Sequence, residues 1–168
     1  EYGYSKNFKG STSPKSPLFP RTEYAASKVA QYAVSIALAK KLKLELCYLR
    51  LYSVYGDGQY EKNFWPSLKK AAINGEDFEM TSGEQLRDFI HVDKVSKSIL
   101  EACFCNNLEK GKPNVADLGT GNPLKLIDFA NREWAKFEAK GNLKPGLIEK
   151  RESDSYDLYT NCNEEIVI

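Results

Sequence analysis

The sequence predicts an α/β fold: a parallel sheet whose strands are joined by crossover helices. Two observations carry that expectation. Apolar runs of strand length alternate with longer stretches of helical apolar spacing, and the changes of period fall at Gly, Pro or Asn signals. No internal repeat or low-complexity segment interrupts the alternation.

Residues 5–21 are rich in Ser, Lys and Gly and carry Pro14, Pro17 and Pro20, so they read as an irregular surface loop. Helical spacing follows, with apolar residues at 25, 29, 32, 33, 36 and 37 and an end near residue 42. Thr22 supplies an N-cap oxygen, and Glu23 a favourable charge in the first turn. Residues 44–51 (LELCYLRL) predict a buried strand that ends in the run 52–56, with Gly56 and Gly58 marking a loop. A helix over about 62–74 tolerates Pro66 near its first turn and closes at Gly75, a residue suited to a left-handed position. Short strands near 77–80 and 86–90 flank a turn at Ser82-Gly83. Asp93 is the expected cap of a helix running to about Cys105. A strand at 115–118 leads through Gly119-Thr120-Gly121-Asn122-Pro123 to a helix near 125–139. The remainder is polar, with one short strand near Leu147 and Ile148.

At 168 residues the chain is one domain by length and large enough for a core. Its 24 basic and 23 acidic residues leave a net charge of +1, which argues against a nucleic-acid binder. The pairs Lys40-Lys41 and Lys69-Lys70 read as solvated helix faces. No run approaches the roughly 18 apolar residues that span a bilayer, so no membrane partner is expected. Cys47, Cys103, Cys105 and Cys162, with the lone histidine His91, lack the paired spacing of a zinc site. No metal is expected, and buried, reduced cysteines in a cytoplasmic protein are the reading.

Carbonyl–alcohol hydride transfer needs a group that exchanges a proton with the substrate oxygen. A tyrosine serves when a nearby cation favours its phenolate, and a lysine four residues later on a helix lies on the same face. With 10 tyrosines and 19 lysines, chance gives about one Y-x-x-x-K. Two occur, Tyr24/Lys28 and Tyr2/Lys6, and only the first opens an amphipathic helix after a proline-rich loop. Taken alone, the spacing favours a surface tyrosine beside a solvated lysine.

Five stretches in collinear order change that weighting. Tyr2-Gly3, Tyr24-Ala25-Ala26-Ser27-Lys28, the run 50–56 (RLYSVYG), Arg87-Asp88-Phe89-Ile90-His91-Val92-Asp93, and Leu118-Gly119-Thr120-Gly121 with Leu124 and Phe129 cover nearly the whole chain. Together they resemble the extended short-chain dehydrogenases, the NAD-dependent epimerase/dehydratase family of nucleotide-sugar enzymes. The resemblance implies the C-terminal part of a Rossmann-like doubly wound parallel sheet plus a small substrate-binding lobe. About 1–56 and 92–130 would form the first part, with the catalytic helix, and about 57–91 and 131–168 the second.

The activity it implies is hydride transfer on a nucleoside-diphosphate sugar with NAD or NADP as cofactor. In the family the tyrosine is the general acid/base and the lysine orients the cofactor ribose, roles that fall on Tyr24 and Lys28. Arg87 matches an arginine on the substrate diphosphate, a task suited to the guanidinium fork. Its plainer reading is an ion pair with Asp88 or Asp93. Arg151 is a candidate second phosphate contact. Ser53 stands where relatives usually carry the asparagine that places substrate, and His91 reads as a structural strand-end residue. A homodimer is expected of the complete protein.

The 168 residues begin at Glu1, have no methionine before Met80 and contain no G-x-x-G-x-x-G run for a dinucleotide pyrophosphate. The expectation is the back part of a longer enzyme, with the family's catalytic serine or threonine ahead of Tyr2. Alone it should be marginal, because the strand near 45–51 and the core side of the Tyr24 helix lose their cover. The alternatives are a non-catalytic truncated remnant or scaffold that binds a nucleotide sugar or a protein partner, and an unrelated α/β binding module.

Overall fold

The computed structural model describes residues 12–13, 15–20, 22–104, 106–150 and 157–160. Arg151, the Tyr2/Lys6 pair, Cys105 and Cys162 lie outside the described residues. Helix α1 (Glu23–Leu42) starts as its sequence dictates, with the Thr22 hydroxyl accepting from the Ala25 N–H at 3.1 Å. It ends at Lys43, whose left-handed backbone (φ 51°) lets its N–H and that of Leu44 both close on the Ala39 carbonyl. That termination uses up the residues just beyond the helix. Strand β1 (Cys47–Leu51) therefore begins three residues later than the apolar run 44–51 suggests.

After β2 (Ser53–Tyr55) come α2 (Phe64–Asn74) and β3 (Phe78–Met80), then β4 (Leu86–Arg87) and β5 (Phe89–His91). Helix α3 (Val92–Cys103), β6 (Asn114–Leu118), β7 (Leu124–Lys125), α4 (Leu126–Lys136) and β8 (Leu143–Pro145) complete the described elements. The pairs β1–β6, β2–β5 and β3–β8 are parallel, and only β4–β7 is antiparallel. The predicted α/β class with parallel strands holds.

Several local expectations need correction. The stretch 86–90 is two strands, broken where Asp88 changes partners: its N–H donates to Leu158 and its carbonyl accepts from Ser53. The strands do flank the Ser82-Gly83 turn, with β3 paired to β8, β4 to β7 and β5 to β2. The last strand lies at 143–145 rather than near Leu147 and Ile148, which are 63% and 48% exposed. Asn142 sets it there, because its carbonyl accepts from Phe78 and its N–H donates to Asp77. The cap of α3 is His91, whose Nδ1 accepts from the Asp93 N–H at 3.3 Å, so Asp93 sits inside the first turn. Cys103 is free and exposed rather than buried, while Ala102 beside it is buried.

Two apolar clusters hold these elements. Leu68, Met80 and Ala130 form one, flanked by Phe64, Phe78 and Trp134. Ile90, Val95 and Leu118 form the other beneath β1 and β2. Helix α2 is tied to α4 by a buried carboxylate: Glu133 accepts from Trp65 Nε1 at 3.1 Å, Arg132 Nε at 3.0 Å and Lys136 Nζ at 2.8 Å. Burial pushes the Glu133 carboxyl up, but the bonds from Lys136, Trp65 and Arg132 outweigh it and hold the group below the usual carboxylate range. A depressed folded-state pKa stabilises fully above the unfolded value and is lost as pH falls through the folded one. Urea midpoints of a Glu133→Gln variant should therefore lie below wild type at neutral pH. The gap should close as pH falls below about 4.3; a gap constant with pH would contradict this account.

Candidate active site

Helix α1 and β1 run in opposite directions, joined by a short turn, and Tyr32 packs edge-on against Tyr48 at 5.1 Å. From that contact Tyr24 lies about 12 Å back along the helix, and Tyr52 lies about 13 Å forward along the strand path. The N-terminal turn of α1 is thus brought to the carboxyl end of β1, where ligands gather in open parallel sheets. Tyr24 is 61% exposed there. Lys28, one turn on, holds its Nζ 5.6 Å from the Tyr24 ring centroid and donates to Gln31 Oε1 at 3.3 Å.

A cleft of about 640 Å³ opens at this point, lined by Tyr24, Ser53 and Arg87 together. Three residues singled out from separate stretches of sequence therefore meet. Lys28 stands beside the cleft without lining it, and Arg151 lies outside the described residues. Arg87 is the one charged side chain among the described lining residues. The floor is aromatic: Phe89 stacks on Phe129 at 3.7 Å, and Tyr55 meets Phe129 edge-on at 4.9 Å. A single cation over an apolar floor suits an anionic ligand with a flat or hydrophobic part. Asn63 and Gln85 add amides that motif reading missed, and Asn63 precedes α2 without a side-chain cap bond.

The strand carrying Arg87 is held on both edges. On one side Arg87 opposes Leu124 of β7. On the other, Leu158 N–H donates to Leu86 O at 3.0 Å, and Asp157 Oδ1 accepts from Leu86 N–H at 2.8 Å. Just beyond, Asp88 is fully buried and spends its carboxylate on the Gly119-Thr120-Gly121 turn. It accepts from Thr120 N–H at 2.8 Å, Thr120 Oγ1 at 2.6 Å and Gly121 N–H at 2.9 Å. Asp93 faces His91 instead. The two aspartates suggested as ion-pair partners of Arg87 thus have other work, while Arg87 Nη1 donates to Leu86 O at 2.9 Å.

A buried polar chain braces the cleft from behind. Arg50 Nε donates to Asp117 Oδ1 at 2.6 Å, and Tyr52 OH donates to Asp117 Oδ2 at 2.9 Å. The Tyr52 hydroxyl also meets Thr12 Oγ1. Thr12 in turn donates its N–H to Tyr159 O at 2.9 Å, so the segment leading to α1 is stitched to the segment 157–160. Among the described residues no cluster of three or more His, Cys, Asp or Glu side chains could hold a metal ion. No described helix is long and apolar enough to cross a membrane.

Residues 1–116 match the sequence profile of the NAD dependent epimerase/dehydratase family. A dTDP-L-rhamnose 4-epimerase from Burkholderia thailandensis is 30% identical over 130 residues, covering 71% of this chain and 34% of the relative. Among solved structures, a UDP-N-acetylglucosamine 4-epimerase from Methanobrevibacter ruminantium, in complex with UDP-N-acetylmuramic acid, superposes with a TM-score of 0.81. It is 21% identical, over 94% of this chain and 50% of its own length. The UDP-glucose 4-epimerase of Thermus thermophilus, a complex with NAD, gives a TM-score of 0.76 at 16% identity, over 95% of this chain and 51% of its own. The chain thus spans between a third and about half the length of these relatives.

Proposed function

The chain belongs to the NAD-dependent epimerase/dehydratase family, and from that membership we propose that it supplies the substrate cleft and the acid/base pair of an enzyme acting on a nucleoside-diphosphate sugar. The observation that carries the reading is the meeting of Tyr24, Ser53 and Arg87 in one cleft, a phenol, a hydroxyl and a guanidinium brought together from three separate stretches of sequence. The division into a Rossmann-like portion and a substrate lobe belongs to the same reading. So does a homodimer, supported by the apolar row Val34, Leu38 and Leu42 exposed along α1.

The residues present fit one end of NAD. The exposed Tyr24 hydroxyl and the Lys28 ammonium, a turn apart, suit the ribose that carries the nicotinamide. No run in the 168 residues suits its pyrophosphate. When bound, the nicotinamide supplies the hydride acceptor and donor. Tyr24 takes the proton from a sugar hydroxyl as its carbon is oxidised and returns a proton when the carbonyl is reduced. Lys28 holds the ribose hydroxyls beside the Tyr24 hydroxyl. Ser53 offers the sugar a hydroxyl in place of a longer amide. Arg87 pairs with the diphosphate, fixing the ring against Tyr24.

Arg87→Ala tests the reading through binding. A charge-assisted contact to a diphosphate predicts a KM for the nucleotide sugar raised by about 10- to 100-fold, with kcat changed far less. Unchanged KM and unchanged nucleoside-diphosphate affinity would remove Arg87 from the site.

A further inference from the structure

Side chains at 85, 87 and 89 line the cleft, and those at 86, 88 and 90 do not. This is the parity of an extended chain, in which alternate residues share a face. It sets an amide, a guanidinium and an aromatic ring in order along one wall, with Gln85 in the bend that leads into β4 and Arg87 about 7 Å from Phe89. The row has a direction. Phe89 is paired in register with Ser53, at the end where Tyr24 stands, while Gln85 lies at the other end. There the Gln85 carbonyl accepts from the Leu126 N–H at 3.0 Å, which fixes its backbone while its side chain faces the cleft beside Leu126.

A nucleoside-diphosphate sugar is also ordered, as sugar, diphosphate and nucleoside. With the sugar at Tyr24 and Ser53 and the diphosphate at Arg87, the next group along the row is the ribose that bears the diphosphate. We propose that Gln85 is a specificity-determining residue that hydrogen-bonds the 2′-hydroxyl of the substrate's ribose, so that the site favours ribonucleotide-linked over deoxyribonucleotide-linked sugars. The proposal rests on the nucleotide-sugar reading of the cleft. Gln85 suits the task because an amide both donates and accepts, as a hydroxyl does, and because a polar group built to meet a hydroxyl discriminates against the analogue lacking it.

The test measures UDP and 2′-deoxy-UDP affinities by calorimetry on the protein as its gene encodes it, alongside Gln85→Ala, the near-isosteric Gln85→Met and Arg87→Ala. Wild type should bind UDP about five- to tenfold more tightly than 2′-deoxy-UDP. Both Gln85 variants should bring UDP down to the deoxy affinity and leave the deoxy affinity unchanged. Arg87→Ala should weaken both nucleotides alike. Equal affinities in wild type, or Gln85 variants that weaken both nucleotides equally, would overturn the role of Gln85; a continued loss with Arg87→Ala would then leave the nucleotide-sugar reading standing. If neither nucleotide binds and Arg87→Ala changes nothing, both fall together.

Discussion

Tyr24→Phe is expected to lower kcat by about 100- to 10,000-fold, the usual span for removing a positioned acid/base, with little change in KM. The substitution deletes one oxygen and keeps the ring. Tyr24 is 61% exposed at the first turn of α1, so losing its hydroxyl should not disturb the core. The helix start is secured by Thr22, and α1 is held against β1 by Tyr32 on Tyr48. A fall in rate with unchanged circular dichroism and unchanged thermal midpoint is therefore a chemical effect. Lys28→Met should behave differently, raising the KM for NAD as well as lowering kcat, because the ammonium orients the cofactor ribose beside the Tyr24 hydroxyl. A Tyr24→Phe protein with wild-type turnover would reduce the Tyr24/Lys28 pair to a surface feature.

Asp88→Ala is expected to cost about 3 kcal/mol or more of folding stability. The side chain is fully buried, and its loss leaves Thr120 N–H, Thr120 Oγ1 and Gly121 N–H without their acceptor. Asp88→Asn keeps one acceptor oxygen and should fall between the two. Gly119→Ala probes the same join from the other side, since a Cβ there would stand 2.5 Å from Asp88 Oδ2 and 2.6 Å from Thr160 Cγ2. Both neighbours are buried and cannot swing away cheaply. Because Asp88 follows Arg87 directly, its loss should also weaken nucleotide binding. Equilibrium urea unfolding measures the stability term, and a cost below about 1 kcal/mol would mean that water replaces the carboxylate.

What could be read in advance was mostly local. Thr22, Glu23 and the apolar spacing after them define α1 without help from the rest of the chain, and Gly75 closes α2 with φ 72° as its position suggests. The strands β1 and β6 show through Leu49, Ala116 and Leu118, but the buried Arg50–Asp117 pair between them is a tertiary feature that neither run announces. The join at Asp88 is different. It exists only because Leu158, Ser53 and Thr120 arrive from distant sequence, and nothing near residue 88 announces them. Strand parity was the usable signal: neighbours on an extended chain face opposite ways, which already argues against an Arg87–Asp88 pair and places Gln85 beside Arg87. Strand β8 (LKP) has no apolar pattern and takes its place from β3. Within the site, ordered motifs found Tyr24, Ser53 and Arg87. Asn63 owes its position to tertiary structure, and Arg151 lies outside the described residues.

The central claim is that Tyr24 moves a proton while a hydride leaves or joins a sugar ring carbon. The most direct measurement is the primary kinetic isotope effect on turnover of UDP-, dTDP- and CDP-linked hexoses deuterated at the ring carbons, with NAD supplied. At least one should be turned over, more slowly when the reacting carbon carries deuterium, and Tyr24→Phe should abolish that turnover. If none is turned over while UDP still binds in an Arg87-dependent way, the protein holds nucleotide sugars without transforming them, and the catalytic role assigned to Tyr24 is wrong.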